Sequence, residues 1–368
     1  VSNQVLWFAH HGLWDLPREP VFDASWPTAW DAYRDVNHAF ADAVAEAAPE
    51  GAVVLVQDYH LCLVAARLGP ARPDVDCVHF SHTPFAPPPW MTALPDAAAR
   101  ELLEGMAAHR ACGFHTQRWA DDFSASSRAL TGHVPPTFVS PLASDPDDIR
   151  AVAASPACDR ALASLEEVVG DRLLIGRVDR IELSKNLVRG FLAYDVLLDQ
   201  HPDLRERVVF VAGAYPSRGG VAAYASYRAA VEQTALEVNE RWGTPGWQPI
   251  VLDVDDDFPR SVALLRRADV LLVNPIRDGL NLVASEAALV NERGGVLVLS
   301  PEAGAWEHLH PAVLPAPPFD VAGTAESLHD ALTMSPDERS ERAAHLRALV
   351  EARTPADWLA DQLAHAVR

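Results

Sequence analysis

Short apolar runs alternate with amphipathic stretches along most of the 368-residue chain. Between residues 166 and 310 the apolar runs are RLLIGRVD, RVVFVAGA, QPIVLDV, DVLLVNP and GVLVLS. Longer segments with helical spacing separate them, among them NLVRGFLAYDVLLDQ and YASYRAAVEQTALEVNERW. Continuous apolar strands between helices are typical of a parallel sheet with helices on both faces. This part of the sequence predicts a doubly wound α/β domain.

The first part of the chain shows a similar alternation. The runs VLWFAHH, AVVLVQ, DCVHFSH, ACGFHT and PTFVSP are predicted to be strands, with helices near 28–48, 60–68, 95–108 and 118–130. The segment PLASDPDDI is rich in Pro and Asp and is expected to be a hinge. We predict an N-terminal Rossmann-like domain over 1–145, a C-terminal one over 146–345 that faces it across a cleft, and a helical segment over 346–368 broken at Pro355.

Composition limits the possible partners. A formal charge of -21 repels nucleic acid unless a local basic patch outweighs it, and the sequence contains no such patch. Four scattered cysteines without a CxxC pair argue against a zinc site and a disulfide framework. The start of the chain resembles no signal peptide, and no apolar run is long enough to span a bilayer. We therefore expect a cytoplasmic protein that contacts neither nucleic acid nor membrane.

Polar residues follow several predicted strands, where ligands of open parallel sheets bind. Arg180 and Lys185, the only lysine, follow LLIG, and Ser184 is placed to cap a helix starting at Asn186. Two cations at a helix N-terminus predict a diphosphate site. The alternative is a surface ion pair of Arg180 with Glu182 or Asp179 beside a solvated lysine.

The segment Asp278–Glu286 follows the strand VLLVNP and leads into a helix. Its backbone amides can bind phosphate, and Glu286, predicted on the first helical turn, can accept hydrogen bonds from ribose hydroxyls. The alternative is that Glu286 only compensates the helix dipole, which contributes less than roughly 1 kcal/mol.

Three further residues occupy comparable positions. Asp58 and His82 end two strands of the first domain, where a helix N-cap and a histidine bonded to a backbone carbonyl are the structural alternatives. Arg218 follows a strand of the second domain and precedes two glycines, which allow the backbone to approach an anion closely. An exposed arginine without a ligand is the alternative there.

Dinucleotide and P-loop motifs are missing from the sequence, as are protease, hydrolase and metal-binding motifs, so no metal or resident cofactor is predicted. Six segments, in order over nearly the whole chain, resemble trehalose-6-phosphate synthases, glycosyltransferase family 20. They are VQDYHLCLVAARL, FSHTPFAPPPW, GRVDRIELSKNL, AYPSRGGVAAY, ADVLLVNPIRDGLNLVASE and GVLVLSPEAGA.

The resemblance implies a GT-B fold and a retaining transferase in which Arg180 and Lys185 hold the leaving diphosphate. It implies that Glu286 binds the ribose, that Asp58 and His82 are acceptor-side and donor-side residues, and that Arg218 contacts the acceptor phosphate. The implied donor-binding backbone comprises Asp278, Gly279, Leu280, Asn281, Leu282 and Val283. The expected partners are a nucleotide-activated donor, GDP-linked by this resemblance, and a phosphorylated acceptor. Assembly into a homodimer stays open.

The sequence departs from the family pattern at three places. Gly12 occupies the position of a tyrosine in the acceptor pocket, DRIELSKN replaces DRLDYSKG, and HTPFA replaces HIPFP. These changes resemble the pseudo-glycosyltransferase branch, typified by validoxylamine A 7'-phosphate synthase, which couples GDP-valienol to validamine 7-phosphate through a C–N bond with retention. We expect that reaction, and we expect loss of the tyrosine to open space for the acceptor.

Other readings of the sequence stay open. The first is an ordinary trehalose-6-phosphate synthase, which transfers glucose from a nucleotide sugar to glucose 6-phosphate. A non-catalytic nucleotide-binding regulator and a sugar-nucleotide epimerase are the others. The resemblance also implies an upstream glycine loop and a donor-closing arginine, which are expected to lie outside this sequence.

Overall fold

The computed structural model describes residues 1–366 and divides the chain into two compact units. Unit 1 comprises Val1–Leu142 and the segment that starts at Pro355, and unit 2 comprises Ala143–Thr354. The first division falls inside the predicted hinge segment PLASDPDDI. The predicted boundary at 345/346 instead falls within a helix of unit 2, whose residues Leu346 and Val350 are buried there. The C-terminal segment is therefore shorter than predicted and belongs to unit 1.

Unit 1 contains one sheet of four parallel strands in the order β1-β2-β3-β4. The strands are β1 (Val53–Gln57), β2 (Asp76–Ser81), β3 (Cys112–Phe114) and β4 (Thr137–Val139). The helices are α1 (Trp7–His11), α2 (Trp26–Ala47), α3 (Val64–Ala71), α4 (Pro88–Met91), α5 (Asp96–Ala107), α6 (Gln117–Thr131) and, from the end of the chain, α16 (Pro355–Ala364).

The first predicted strand, VLWFAHH, is wrong. A π-helical turn at Ser2–Leu6 continues into α1, which ends at Gly12 with a left-handed φ of +63°. Every residue of α1 is buried, so its apolar run lacks the polar face that marks a surface helix. Periodicity alone cannot separate such a short buried helix from a strand, and the glycine at its end is the available signal.

Apolar side chains of unit 1 form separate layers around the sheet. Val56 of β1 packs with Ala41 of α2 and Leu68 of α3 in one layer. Phe80 of β2 packs with Phe138 of β4 and Trp358 of α16 in another. The C-terminal helix is thus part of the core of unit 1.

Unit 2 contains a six-stranded parallel sheet in the order β10-β9-β8-β5-β6-β7. The strands are β5 (Leu173–Ile181), β6 (Val208–Pro216), β7 (Ile250–Asp253), β8 (Val270–Val273), β9 (Val296–Leu299) and β10 (Leu314–Pro315). The helices are α7 (Pro146–Ala153), α8 (Pro156–Val169), α9 (Leu187–Gln200), α10 (Ala222–Trp242), α11 (Phe258–Arg267), α12 (Leu282–Val290), α13 (Trp306–Leu309), α14 (Val321–Thr333) and α15 (Pro336–Glu351).

The strand order of unit 2 reverses between β5 and β8, as in a doubly wound sheet. Helices α9, α10 and α14 bury their apolar faces on one side of the sheet, whereas α8 and α11 pack together on the other. The prediction of two parallel-sheet α/β domains is confirmed. Within residues 1–366, no helix combines the length and the apolar character needed to cross a membrane.

Candidate active site

Lys185 connects the two loops that flank the reversal in unit 2. It ends a 3-10 turn, Leu183–Lys185, after β5, and its Nζ lies 2.7 Å from Oδ2 of Asp278 in the loop after β8. Oδ1 of Asp179 lies 3.8 Å from the same nitrogen. Burial acts to lower the pKa of Lys185, but the two carboxylates outweigh it and raise that pKa, so the ammonium stays charged.

The local structure around Lys185 differs from the expectation in one respect. Ser184 does not cap the next helix, because that helix begins at Leu187 and Asn186 is its N-cap residue. Asn186 has a left-handed φ of +62°, and its side-chain amide donates to the carbonyl oxygens of Asn274 and Pro318. Asparagine tolerates this backbone conformation better than most residues. It can therefore replace the glycine of the family motif.

Arg177 lies beneath the turn that carries Lys185 and contacts that turn directly. The sequence did not predict it as a site residue. Its fully buried guanidinium lies 2.9 Å from Asp179 and donates to the side chain of Asn274 and to the carbonyl of Lys185. The arginine therefore neutralises Asp179 and holds the turn that presents Lys185. An arginine inside the apolar run LLIGRVD is the signal that the sequence offered.

Arg180 forms an ion pair with Glu182, as in the alternative to a diphosphate site that the sequence left open. Its Nη1 lies 2.9 Å from Oε1 of Glu182, with 45% of the arginine side chain exposed and only 2% of the glutamate side chain. A half-exposed guanidinium on a buried carboxylate keeps donors available to an anion in solvent. The ion pair and an anion-binding role are therefore compatible.

The segment that follows β8 is held by hydrogen bonds on both sides. The amide of Asp278 donates to the carbonyl of Glu302, and the side chain of Asn281 accepts from the amide of Ala284. These two amides are engaged within the protein. Helix α12 begins at Leu282, and the first amides of a helix have no partner inside the helix. The start of α12 is therefore the part of this segment suited to phosphate.

Glu286 is the fifth residue of α12, so it lies beyond the first turn on which it was predicted. Burial raises the pKa of its carboxyl group. A half-buried carboxyl on the second turn gains little from the helix dipole, which acts mainly on the first turn. That position weakens the alternative in which Glu286 only compensates the dipole.

Arg218 lies in the loop after β6 with a left-handed φ of +47°. Its Nη1 donates to the hydroxyl of Tyr224 at 2.8 Å, and Tyr224 is buried in the first turns of α10. The contact fixes the direction of the arginine side chain. Unit 2 thus carries three cations at the carboxyl ends of the adjacent strands β5 and β6. Lys185 and Arg218 lie in the loops, whereas Arg180, expected in the loop, is the second-last residue of β5 itself.

Asp58 follows β1, and its side chain contacts the loop that follows β2. It has a left-handed φ of +64°, and its Oδ1 lies 3.3 Å from the amide of His82 and 3.4 Å from that of Thr83. Its side chain is therefore directed at the loop after β2, and it does not act as a helix N-cap. The structure places Asp58 and His82 side by side.

The imidazole of His82 belongs to a chain of side-chain hydrogen bonds. Its Nε2–H donates to Oε1 of Gln57 at 2.8 Å, and its Nδ1 accepts from Nε2–H of His115 at 3.2 Å. Nδ1 of His115 accepts from the amide of Leu142, and Gln57 donates to Gln362 of α16. Burial lowers the pKa of His82, which keeps the ring neutral in this tautomer.

Two residues of the altered motif HTPFA make hydrogen bonds in unit 1. The hydroxyl of Thr83 lies 3.4 Å from Oδ1 of Asp58, and the amide of Ala86 donates to Nδ1 of His10 at 3.1 Å. An isoleucine lacks that hydroxyl, and a proline lacks that amide. The motif HTPFA therefore changes the polar contacts of Asp58 and His10.

Gly12 is a separate departure, and an aromatic ring lies beside it where open space was expected. A Cβ placed on Gly12 would lie 3.5 Å from the indole of Trp90. Its left-handed φ also disfavours any larger residue. The region next to Gly12 is thus occupied by an aromatic ring. Over residues 1–366, no cluster of histidine, cysteine or acidic side chains could hold a metal ion.

Known proteins similar to this chain identify its family. The model of glycosyltransferase family 20 matches residues 1–368. The bifunctional trehalose-6-phosphate synthase/phosphatase of Thermoproteus tenax is 33% identical over 374 residues, which cover 98% of this chain and 50% of that protein. The α,α-trehalose-phosphate synthase (UDP-forming) of Schizosaccharomyces pombe is 34% identical, covering 97% of this chain and 71% of that protein. The chain thus spans half the length of the first relative.

Solved structures agree. An α,α-trehalose-phosphate synthase (UDP-forming) from Burkholderia xenovorans in complex with glucose-6-phosphate has a TM-score of 0.91 at 29% identity, covering 100% of this chain and 82% of that chain. The E. coli protein bound with UDP-2-fluoro glucose has a TM-score of 0.91 at 31% identity, and the match covers 100% of this chain and 83% of that chain. The chain therefore belongs to glycosyltransferase family 20, a family of retaining transferases with the GT-B fold.

Proposed function

We propose that the protein transfers glucose from a nucleotide sugar to glucose 6-phosphate with retention, giving trehalose 6-phosphate. The contact of Lys185 with Asp278 beside the half-exposed Arg180 carries this proposal, because it concentrates positive charge at the strand-order reversal. Arg218 supplies a further cation in the same unit for a second phosphate. The relatives that bind glucose-6-phosphate and UDP-2-fluoro glucose support the choice of substrates.

The proposed reaction breaks the bond between the sugar C1 and the diphosphate oxygen, which leaves with its electron pair. The acceptor oxygen bonds to C1 from the same face, and its proton passes to the departing phosphate. The ring of His82 does not take that proton, since both of its nitrogens are engaged within unit 1. Arg180 and Lys185 stabilise the leaving charge. Turnover is therefore proposed to persist in EDTA.

The pseudo-glycosyltransferase reaction is the second candidate. The contacts of Thr83 with Asp58 and of Ala86 with His10, together with Gly12, favour it because they alter unit 1 around Asp58 and Gly12, which were predicted on the acceptor side. In this reaction an amine of validamine 7-phosphate replaces the acceptor hydroxyl, and valienol replaces glucose. The amine proton again passes to the departing phosphate of GDP.

A competition assay with the full-length protein separates the two candidates. UDP-glucose, GDP-glucose and GDP-valienol are each offered with glucose 6-phosphate and validamine 7-phosphate, and products are resolved by mass spectrometry. Trehalose 6-phosphate as the dominant product supports the synthase. Exclusive formation of validoxylamine A 7'-phosphate rejects the synthase in favour of the second candidate. Binding of nucleotide without any product supports the non-catalytic regulator.

A further inference from the structure

One carboxylate oxygen of unit 2 contacts side chains from the ends of two adjacent strands. Oε1 of Glu182 lies 2.9 Å from Nη1 of Arg180 and 3.2 Å from Oγ of Ser217. Arg180 is the second-last residue of β5, whereas Ser217 follows β6 and directly precedes Arg218. The glutamate therefore joins the residue proposed to hold the donor diphosphate to the loop proposed to hold the acceptor phosphate.

The guanidinium of Arg180 and the hydroxyl of Ser217 contact the same buried oxygen, so each weakens the contact of the other. The side chain of Glu182 is 2% exposed, so water cannot readily replace a donor that leaves. The side chain of Arg180 is 45% exposed and can turn toward an anion in solvent. When Arg180 turns, the carboxylate retains the hydroxyl of Ser217 as a hydrogen-bond donor, and that bond strengthens because one competitor has gone.

We propose that Glu182 and Ser217 are positioning residues that couple donor binding at Arg180 to acceptor binding at Arg218. This inference rests on the proposed function, since it takes the two phosphate sites from it. A diphosphate that draws Arg180 away tightens the bond from Ser217 and fixes the loop in which Arg218 contacts Tyr224. Each ligand then strengthens binding of the other by the same factor, as linkage requires.

The side-chain lengths allow matched variants. Ser217→Ala removes the hydroxyl, whereas Ser217→Thr keeps it. Glu182→Asp keeps the charge but shortens the side chain by one methylene, to the length found in the family motif DRLDYSKG. The first and third variants should uncouple the sites, and the second should not.

Titration calorimetry with UDP and GDP, each with and without saturating glucose 6-phosphate or validamine 7-phosphate, measures the coupling. For the unsubstituted protein we expect the sugar phosphate to tighten nucleotide binding about fivefold or more. In Ser217→Ala the factor should fall below about twofold, under the range typical of such couplings, with little change in nucleotide affinity measured alone. Ser217→Thr should retain the factor, and thermal melting checks that each variant is folded.

The outcomes separate the inference from the function on which it rests. Coupling that persists in Ser217→Ala and in Glu182→Asp overturns the inference and points to direct contact between the two ligands, while the proposed function stands. Binding of both ligands to the unsubstituted protein without coupling also overturns it. If neither nucleotide nor sugar phosphate binds, the proposed function fails and the inference fails with it.

Discussion

The ammonium of Lys185 and the carboxylate of Asp278 are 2.7 Å apart and join the loops on either side of the strand-order reversal. Lys185→Ala should lower turnover by about 100-fold or more, because a preorganised cation opposite the departing diphosphate is lost. The chain should remain folded, since Arg177 still neutralises Asp179. Initial rates with saturating substrates and thermal melting measure the two effects.

Arg241→Ala is the matched control for that variant. Arg241 is also a charged residue of unit 2, paired with Asp195 and Asp199, but it lies in the last turn of α10, away from the Arg218 loop. Its removal should leave turnover unchanged. Turnover near the unsubstituted level in Lys185→Ala would remove the lysine from the mechanism.

Arg218→Ala should weaken binding of the phosphorylated acceptor and leave binding of the nucleotide alone nearly unchanged. Hydrogen bonds to charged groups contribute about 1.5 to 3 kcal/mol, so we expect KM for the acceptor to rise about 10-fold to 100-fold. Arg228→Ala, which removes an exposed arginine paired with Glu232 on α10, is the control. An equal rise in KM for donor and acceptor contradicts the assignment of Arg218 to the acceptor.

His115→Phe tests the hydrogen-bond chain through His82. The variant removes the donor to Nδ1 of His82 and leaves a largely buried nitrogen unsatisfied, at a cost of about 1 to 3 kcal/mol. We expect reduced stability and reduced turnover. Nitrogen-15 NMR of the ring should show a single Nε2–H tautomer of His82 in the unsubstituted protein and a mixture in the variant. A mixture in both proteins contradicts the chain.

Stability should fall as the pH is lowered below about 6.5, the ordinary pKa of histidine. Burial lowers the pKa of His109 to about 4 and that of His79 well below its ordinary value. Between about 6.5 and about 4 the unfolded chain therefore binds more protons than the folded chain, so unfolding becomes easier with acid. Each such histidine contributes up to about 1.4 kcal/mol per pH unit.

Urea unfolding over that range of pH measures this slope. His109→Phe should make it shallower, because one buried neutral imidazole is removed. His133→Phe, at an exposed position of unit 1, should leave the slope unchanged. Equal slopes in the unsubstituted protein and in His109→Phe contradict the prediction.

Gly12→Ala should destabilise unit 1 by about 1 to 2 kcal/mol, the cost of placing a Cβ in the left-handed region. Gly132→Ala is the matched control, since Gly132 also ends a helix with a left-handed φ but has open space around its Cβ position. Because a Cβ at Gly12 would lie at an ordinary contact distance from Trp90, the two losses of stability, measured by urea unfolding, should be similar. No loss of stability at Gly12 contradicts the left-handed helix end.

Most of the fold could be predicted because parallel strands buried on both faces give continuous apolar runs. The five predicted strands of unit 2 are all present as β5 to β9, and four of the five in unit 1 are present. The edge strand β10 has only two residues, Leu314 and Pro315, too few to give a pattern. VLWFAHH was mistaken because a short helix buried on all sides lacks a polar face.

The partners of the candidate site residues could not be predicted in the same way. Strand ends place a side chain at the right edge of a sheet, which is why Lys185 and Asp278 were both singled out. Their contact joins positions 93 residues apart, and the bond of Gln57 to Gln362 joins positions 305 apart. Pairings over such separations depend on tertiary packing, which local pattern does not contain. Arg177 was missed because a buried charge inside a strand contradicts the apolar pattern.

The last helix packs into the first unit, and this fixes an order of events during synthesis. All of unit 2 is translated before Trp358 and Gln362, which cover Phe80 and hold Gln57 in unit 1. Domains generally fold as units as they emerge from the ribosome. Here the sheet of unit 1 stays uncovered on the side of Phe80 until α16 has been translated, and unit 2 is translated in full before that.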